Sequence, residues 1–216
     1  EHAAKILRHD MHSGINTYIP RGISSLERRL NAEVISNLKL EPPLKMIKEG
    51  LYHTQKVYKG VYEFTNLVKK DSTLNKELCD LKEILIDYLS NTSYLSQVAV
   101  GDLTTIEVNQ ALFCTAVDNL IRNGLKYNDK AMVEVEVAMH EMSDYYSFYV
   151  KDNGPGIPLA NQEKIFRIFE TSGTVDRFGK KGHGIGLATV KKIVEKQGGE
   201  LHLESTLGAG SNFMFT

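Results

Sequence analysis

The chain has 216 residues and nearly balanced charge, 26 Lys and Arg against 27 Asp and Glu for a formal net charge of −1, which excludes a basic nucleic-acid footprint spread along its length. Hydrophobic residues at 42% and charged residues at 25% suit a globular protein, and no apolar run approaches the roughly 18 residues that span a bilayer. Two cysteines, Cys79 and Cys114, are too few for a disulfide framework and too far apart for a zinc knuckle, so a reducing, cytoplasmic setting is expected.

With Glu1 first and no signal-like segment after it, the chain reads as an internal piece of a longer protein, one or two domains in extent and without membrane contact of its own. Its first third reads as helix. Leu7, Met11, Ile15, Tyr18, Ile19, Gly22, Leu26 and Leu30 recur at helical spacing. Pro20 falls within this stripe and predicts a kink, because proline removes a backbone hydrogen bond and clashes with the preceding turn. Residues 31–43 read as a mixed connection ending in Pro42-Pro43, and Leu44, Ile47, Leu51, Tyr58, Val61 and Val68 mark a second long helix. A lone hairpin buries little, so its stripe is expected to meet a second copy in a four-helix bundle, a homodimer through residues 1–70. The polar run Lys69-Lys70-Asp71-Ser72 sets the expected boundary, with the hairpin at 1–72 and a second domain at 73–216.

In that second domain residues 76–90 read as a helix with Leu78, Leu81, Leu85 and Leu89 on one face, and another helix runs from about Gln110 to Lys126. Val133, Val135, Val137 and Met139 alternate with polar neighbours as in a half-buried strand, and Tyr146, Phe148 and Val150 make its antiparallel partner. A Gly/Pro turn follows. Then come a short helix near Gln162–Phe169, a polar stretch over 171–182, a helix at Ile185–Lys196 and strands at Leu201–Ser205 and Asn212–Phe215. The interleaving makes the chain α+β: a helical hairpin followed by an α/β layer.

Four groups of residues invite chemistry. On the helix ending at Lys126, Asn119 and Asn123 are one turn apart and Lys126 and Tyr127 continue their stripe. Neutral oxygen donors beside an ammonium suit a hydrated Mg²⁺ and the phosphates it bridges, though the same stripe also reads as the solvated edge of an amphipathic helix. Asp152-Asn153-Gly154-Pro155-Gly156-Ile157 follows a strand. Its glycines permit close approach of a ligand ring, and its carboxylate can accept from an exocyclic amine such as that of adenine; a plain tight turn is the other reading. Gly182-His183-Gly184-Ile185-Gly186-Leu187 enters a helix, where backbone N–H groups meet anions, without the strand that a dinucleotide fingerprint needs. His9 lies about 160–200° around its helix from Leu7 and Met11, so it is expected to face solvent beside Asp10; an exposed spectator and, with His12, half a metal site are the other readings.

Arg8-His9-Asp10-Met11-His12-Ser13, Asn119 through Tyr127, Asp152 through Pro158, Lys164 through Glu170 and Gly182 through Leu187 stand in the order of the H, N, first glycine, F and second glycine boxes. Over nearly its whole length the chain resembles the catalytic core of a two-component sensor histidine kinase. The resemblance implies a dimeric hairpin and an α/β sandwich ATP-binding domain of the Bergerat type. It implies His9 as phosphoacceptor and Asp10 as its acid/base partner, Asn123 as Mg²⁺ ligand with Asn119 nearby, and Lys126 and Tyr127 on the phosphates or ribose of ATP. Asp152 would read the adenine amine in a pocket shaped by Gly154 and Gly156. Gly182, Gly184 and Gly186 would end a lid and meet the phosphates, with Ile157 and Leu187 completing the nucleotide-binding set. The partner it implies is a response regulator receiver domain.

Departures from the pattern are informative. The H box usually continues Arg-Thr-Pro, whereas His12-Ser13-Gly14 stands here and the proline comes at Pro20. Ser13, three after Asp10, takes the place of the Thr or Asn that supports phosphatase activity in the family. Gly124 replaces the usual alanine at a helix cost of roughly 0.5–1 kcal/mol. The same ATP fold also serves serine kinases and anti-sigma factors, which have no need of the His9 hairpin, and a dimerising scaffold would need no nucleotide site.

Overall fold

The structure, a computed structural model, describes residues 11–30, 32–68, 75–173, 175–176, 179 and 182–216. It divides into two units, 1–62 and 63–216.

In the first unit a π-helical turn, Gly14–Tyr18, runs into α1 (Ile19–Arg29), followed by α2 (Ala32–Asn37) and α3 (Glu41–Val68). The irregularity expected at Pro20 therefore sits one turn earlier, for a reason that can be followed bond by bond. Pro20 has no N–H for the carbonyl one turn back, and its ring crowds that carbonyl. The chain widens its register instead, and the Ile19 N–H donates to the Gly14 carbonyl five residues back. The Ile15 carbonyl is then left without a helical donor, since the Ile19 N–H is taken and Pro20 has none. The Gln55 side-chain amide of α3 donates to it at 3.0 Å. This bond, the ring contact of His12 with Tyr58 at 5.8 Å and the Lys48–Glu27 ion pair place α1 and α3 antiparallel. Residues 31–43 are more helical than expected: Pro42 and Pro43 lie in the first turn of α3, where a missing N–H costs nothing. Among the described residues of this unit only Ile23 is buried, while Met11, Tyr18, Ile19, Leu26, Met46, Ile47 and Tyr52 are exposed.

The second unit holds β1 (Glu77–Asp80), α4 (Leu81–Ser90), β2 (Val98–Val100), β3 (Thr105–Val108), α5 (Gln110–Lys126), β4 (Val135–Glu141), β5 (Tyr146–Asp152), α6 (Leu159–Gln162), α7 (Gly186–Gln197), β6 (Leu201–Thr206) and β7 (Gly210–Phe215). The main sheet has the order β2-β4-β5-β7-β6, with β2 parallel to β4 and the other pairs antiparallel. β1 and β3 form a separate antiparallel ribbon. Inward residues alternate as the pleat requires: Val135 and Val137, Phe148 and Val150, Phe213 and Phe215 meet Leu81, Leu85 and Leu89 of α4, Phe113, Val117, Leu120 and Ile121 of α5, and Val190, Ile193 and Val194 of α7 in one core.

Two expected helices are corrected. Residues 77–80 are strand, because Asp80 takes an extended conformation and its carboxylate accepts from the Lys82 and Glu83 N–H groups as the N-cap of α4; Leu78 consequently leaves the helical stripe and is exposed. The helix expected near Gln162–Phe169 is α6 followed by a 3₁₀ turn at Lys164–Phe166. Phe169, at φ +67°, lies outside the helical region and turns the chain so that its N–H donates to the Gly184 carbonyl at 2.8 Å. Strands β2 and β3 were not visible as periodic runs, being three and four residues long.

Candidate nucleotide site

The wall of the site is α5. Its buried face, Phe113, Ala116, Val117, Leu120, Ile121 and Gly124, fixes Asn119 and Asn123 along the edge. Asn119 Nδ2 donates to the Thr115 carbonyl at 2.8 Å, and its Oδ1 faces the first residue of α7: a Cβ on Gly186 would stand 3.0 Å from that oxygen and 4.0 Å from Asn123 Nδ2. Lys126 and Tyr127 end the helix, with Lys126 Nζ donating to the Tyr127 hydroxyl at 3.1 Å. A Cβ on Gly182 would overlap that hydroxyl and come 3.7 Å from Lys126 Nζ. The N-box edge and the second glycine box therefore face each other across less than a side chain's width.

Asp152 closes β5, in register with Val135 on one side and Ser211 on the other. A Cβ on Gly124 would lie 2.9 Å from Asp152 Cβ and 3.1 Å from Val135 Cγ2, so the glycine that weakens the helix is what lets α5 approach the strand end. Burial pushes the Asp152 carboxyl above the usual aspartate range, an effect that bonds from the Gly154 and Ser211 N–H groups and the charge of Lys130 partly offset. Asp152 Oδ1 accepts from the Gly154 N–H at 2.8 Å. Gly156 holds φ +73° against the Thr206 carbonyl, leaving no space for a side chain. The Ile157 N–H donates to Ser205 Oγ at 2.8 Å, which ties this turn to the edge of the sheet. Gly184, at φ +66°, packs on the backbone of Phe169 and Glu170.

The structure thus brings Asn119, Asn123, Lys126, Tyr127, Asp152, Gly154, Gly182 and Gly186 around one end of α5. Gly156, Ile157, Gly184 and Leu187 stand behind them, Ile157 and Leu187 partly buried against the core. His9 and Asp10 lie outside the described residues. Among the described residues no group of three His, Cys, Asp or Glu could hold a metal by itself. The donor set here, neutral amide oxygens beside an ammonium, fits Mg²⁺ that arrives with phosphate oxygens as most of its ligands.

Three supports escaped the sequence reading. Asn128 is buried at 2% exposure and donates to Asn153 Oδ1 at 2.6 Å; the Asx-turn spacing to Lys130 was its one visible signal. Asp118 is buried and accepts from the Tyr94 hydroxyl, a pairing with no local signature. Gln162 Nε2 donates to the Ile157 and Ser205 carbonyls at 2.9 and 3.0 Å.

Residues 108–216 match the family of histidine kinase-, DNA gyrase B- and HSP90-like ATPases. The chain belongs to that family. Its sequence is 27% identical over 207 residues to the adaptive-response sensory kinase SasA of Prochlorococcus marinus, covering 90% of this chain and 52% of that one. The fold is that of full-length ShkA, crystallised in complex with AMPPNP (TM-score 0.75, 21% identity, 98% of this chain and 44% of that one). It is equally that of the histidine kinase ThkA in complex with the response regulator protein TrrA (TM-score 0.63, 17% identity, 99% and 60%). The ATPase domain and the helices before it are of the sensor histidine kinase type, and the chain spans about half or less of the length of the curated relatives it matches. No described helix is long and apolar enough to cross a membrane.

Proposed function

We propose that this chain is the autophosphorylating core of a two-component system. It binds ATP at the end of α5, transfers the γ-phosphoryl group to His9 and passes it to an aspartate of a response regulator receiver domain. The observation that carries the reading is the convergence of Asn119, Asn123, Lys126, Tyr127 and Asp152 with the glycines at the start of α7: an amine-reading carboxylate at one side, and amide oxygens, an ammonium and a helix N-terminus at the other.

In this reading Asp152 accepts from the adenine amine, and the ammonium of Lys126 counters phosphate charge. Asn123, with Asn119 beside it, offers an oxygen to Mg²⁺. The bound ion would neutralise charge on the β- and γ-phosphates. The neutral imidazole of His9 attacks phosphorus in line; a P–N bond forms as the bond to the β-phosphate oxygen breaks, and Asp10 takes the imidazole proton. Asn119 stands where related hydrolytic ATPases of this fold usually carry a glutamate base, so phosphoryl transfer is favoured over hydrolysis of ATP. Ser13, three residues after Asp10 in sequence, is the residue that would orient water for hydrolysis of the receiver's aspartyl phosphate. The exposed apolar residues of α1 and α3 support a homodimer through residues 1–70, and the domain division at 72/73 belongs to the same proposal.

The test is autophosphorylation from radiolabelled ATP and Mg²⁺, with His9→Ala and Asn123→Ala. Acid-labile label that is absent from both variants is the expected result. Acid-stable label would turn the reading to a serine kinase, and label persisting in His9→Ala would remove His9 as the acceptor.

A further inference from the structure

We infer that Asn128 is a positioning residue for Asp152: its side chain clips the end of α5 to the turn that bears the base-reading carboxylate and so sets the site's preference for an amino-purine. The inference rests on the proposed role of Asp152 toward the adenine amine.

Asn128 follows Tyr127 directly and is withdrawn from water, at 2% exposure. A buried amide is costly unless both of its ends are bonded, and both are. Nδ2 donates to Asn153 Oδ1 at 2.6 Å, and Oδ1 accepts from the Lys130 N–H at 3.0 Å. Asn153, lying between Asp152 and Gly154, is bonded as fully. Its Oδ1 also accepts from the Glu134 N–H at 3.1 Å, its Nδ2 donates to the Met132 carbonyl at 3.0 Å, and its own N–H donates to the Glu134 carbonyl at 3.2 Å. The two amides therefore stitch the loop after α5 to the turn after β5.

The stitch reaches the carboxylate through Gly154. Asn153, which the Asn128 amide holds, precedes in sequence the residue whose N–H holds Asp152 Oδ1 at 2.8 Å, and a Cβ on that glycine would already be in van der Waals contact with Asn128, 3.8 Å from its Cβ and Cγ. Gly124 fixes the other flank of Asp152 from the same helix end. Asp152 is thus aimed by two contacts from the α5 terminus, and that terminus also carries Asn123, Lys126 and Tyr127. Releasing the Asn128 contact leaves the carboxylate in place but unaligned, and a hydrogen bond to an amine weakens steeply with angle.

The discriminating measurement is the ratio of ATP to ITP affinity, because ITP presents an oxygen where ATP presents the amine. Binding to the full chain is measured by competition against labelled AMPPNP in Mg²⁺, at a temperature where every variant is folded. In Asn128→Ser the hydroxyl still reaches the Lys130 N–H but not Asn153. The ratio is expected to fall roughly tenfold, the scale of one misaligned hydrogen bond to a charged group, while the core variant Leu89→Ala keeps the wild-type ratio. If Asp152→Asn collapses the ratio and Asn128→Ser leaves it intact, the inference is overturned and the reading of Asp152 stands. If the wild type does not prefer ATP, or Asp152→Asn changes nothing, the reading of Asp152 fails and the inference with it. Should Asn128→Ser not fold, the isosteric Asn128→Asp keeps the Lys130 bond and sets oxygen against oxygen at Asn153. The same collapse is then expected, and an unchanged ratio again refutes the clip.

Discussion

Replacing Tyr94 by Phe is the most direct probe of the support behind α5. Asp118 is 7% exposed, and its Oδ1 accepts from the Tyr94 hydroxyl, while Oδ2 lies 3.8 Å from Arg122 one turn on. Arg122 is more than half exposed, so that ion pair is worth no more than about 1 kcal/mol. A hydrogen bond to a charged, buried acceptor contributes about 1.5–3 kcal/mol, which makes Tyr94 the principal partner. Phenylalanine preserves the ring and opens no cavity, so Tyr94→Phe should cost about 2 kcal/mol, a fall in Tm of roughly 4–8 °C for a domain of this size. Equilibrium denaturation in urea should show a lower midpoint at unchanged slope. In an Asp118→Asn background, where the acceptor is neutral, the same substitution should cost only about 0.5–1.5 kcal/mol.

The alkaline limb supplies a second reading of the same bond. Burial, then the bond to Asp118 and its charge, raise the Tyr94 pKa. A raised pKa means stability fully present below the ordinary tyrosine value and lost as pH climbs through and beyond it. The advantage of wild type over Tyr94→Phe should therefore shrink above about pH 10. A cost under about 0.5 kcal/mol at neutral pH would show Asp118 to be solvated and refute the reasoning.

Two other outcomes follow from polar accounting. Gln55→Leu removes the donor to the Ile15 carbonyl and should destabilise the helical unit by about 1–3 kcal/mol; in a Pro20→Ala background, where an N–H is restored and the helix can return to the α register, the same substitution should be nearly neutral in thermal melts of the full chain. The raised pKa of Asp152 makes its stability contribution larger on the acid side and lost as pH rises through the raised value, whereas ATP affinity should run oppositely, falling as pH drops through it; titration calorimetry across that window should give a sloping profile for the wild type and a flat one for Asp152→Asn.

Legibility in the sequence followed the range of the forces involved. The polar edge of α5, the Leu81, Leu85 and Leu89 face of α4 and the pairing of β4 with β5 came from periodicity, because burial repeats every turn or every second residue. The glycine boxes were visible because a backbone at φ +66° or +73°, as at Gly184 and Gly156, admits little else. What failed was decided by partners distant in sequence. Leu78 fits the helical stripe of Leu81 and Leu85, yet the pairing of β1 with β3 and the Asp80 cap take it away. Pro20 was read as a kink, but where the distortion settled depended on which donor could serve the freed carbonyl, and that donor, Gln55, lies on another helix.

Gln55, Tyr94 and Asn128 share a logic that links fold to site. Each bonds a polar group of another element that its own helix or turn does not fully satisfy: the Ile15 carbonyl released by Pro20, the buried Asp118 carboxylate, and the Asn153 amide, which it joins to the end of α5. Burial makes each unanswered group cost more than the answering bond gains, so these residues fix geometry more than they add stability. Two of the three lie at or behind α5, whose edge carries Asn119, Asn123 and Lys126. A helix that must present an amide pair and an ammonium to phosphates, and hold its end against Asp152, cannot slide or rotate by a fraction of a turn without losing one of them. The buried bonds from Tyr94 on one flank and Asn128 at the terminus remove those two freedoms, which apolar packing around Val117 and Leu120 alone, being non-directional, would leave open.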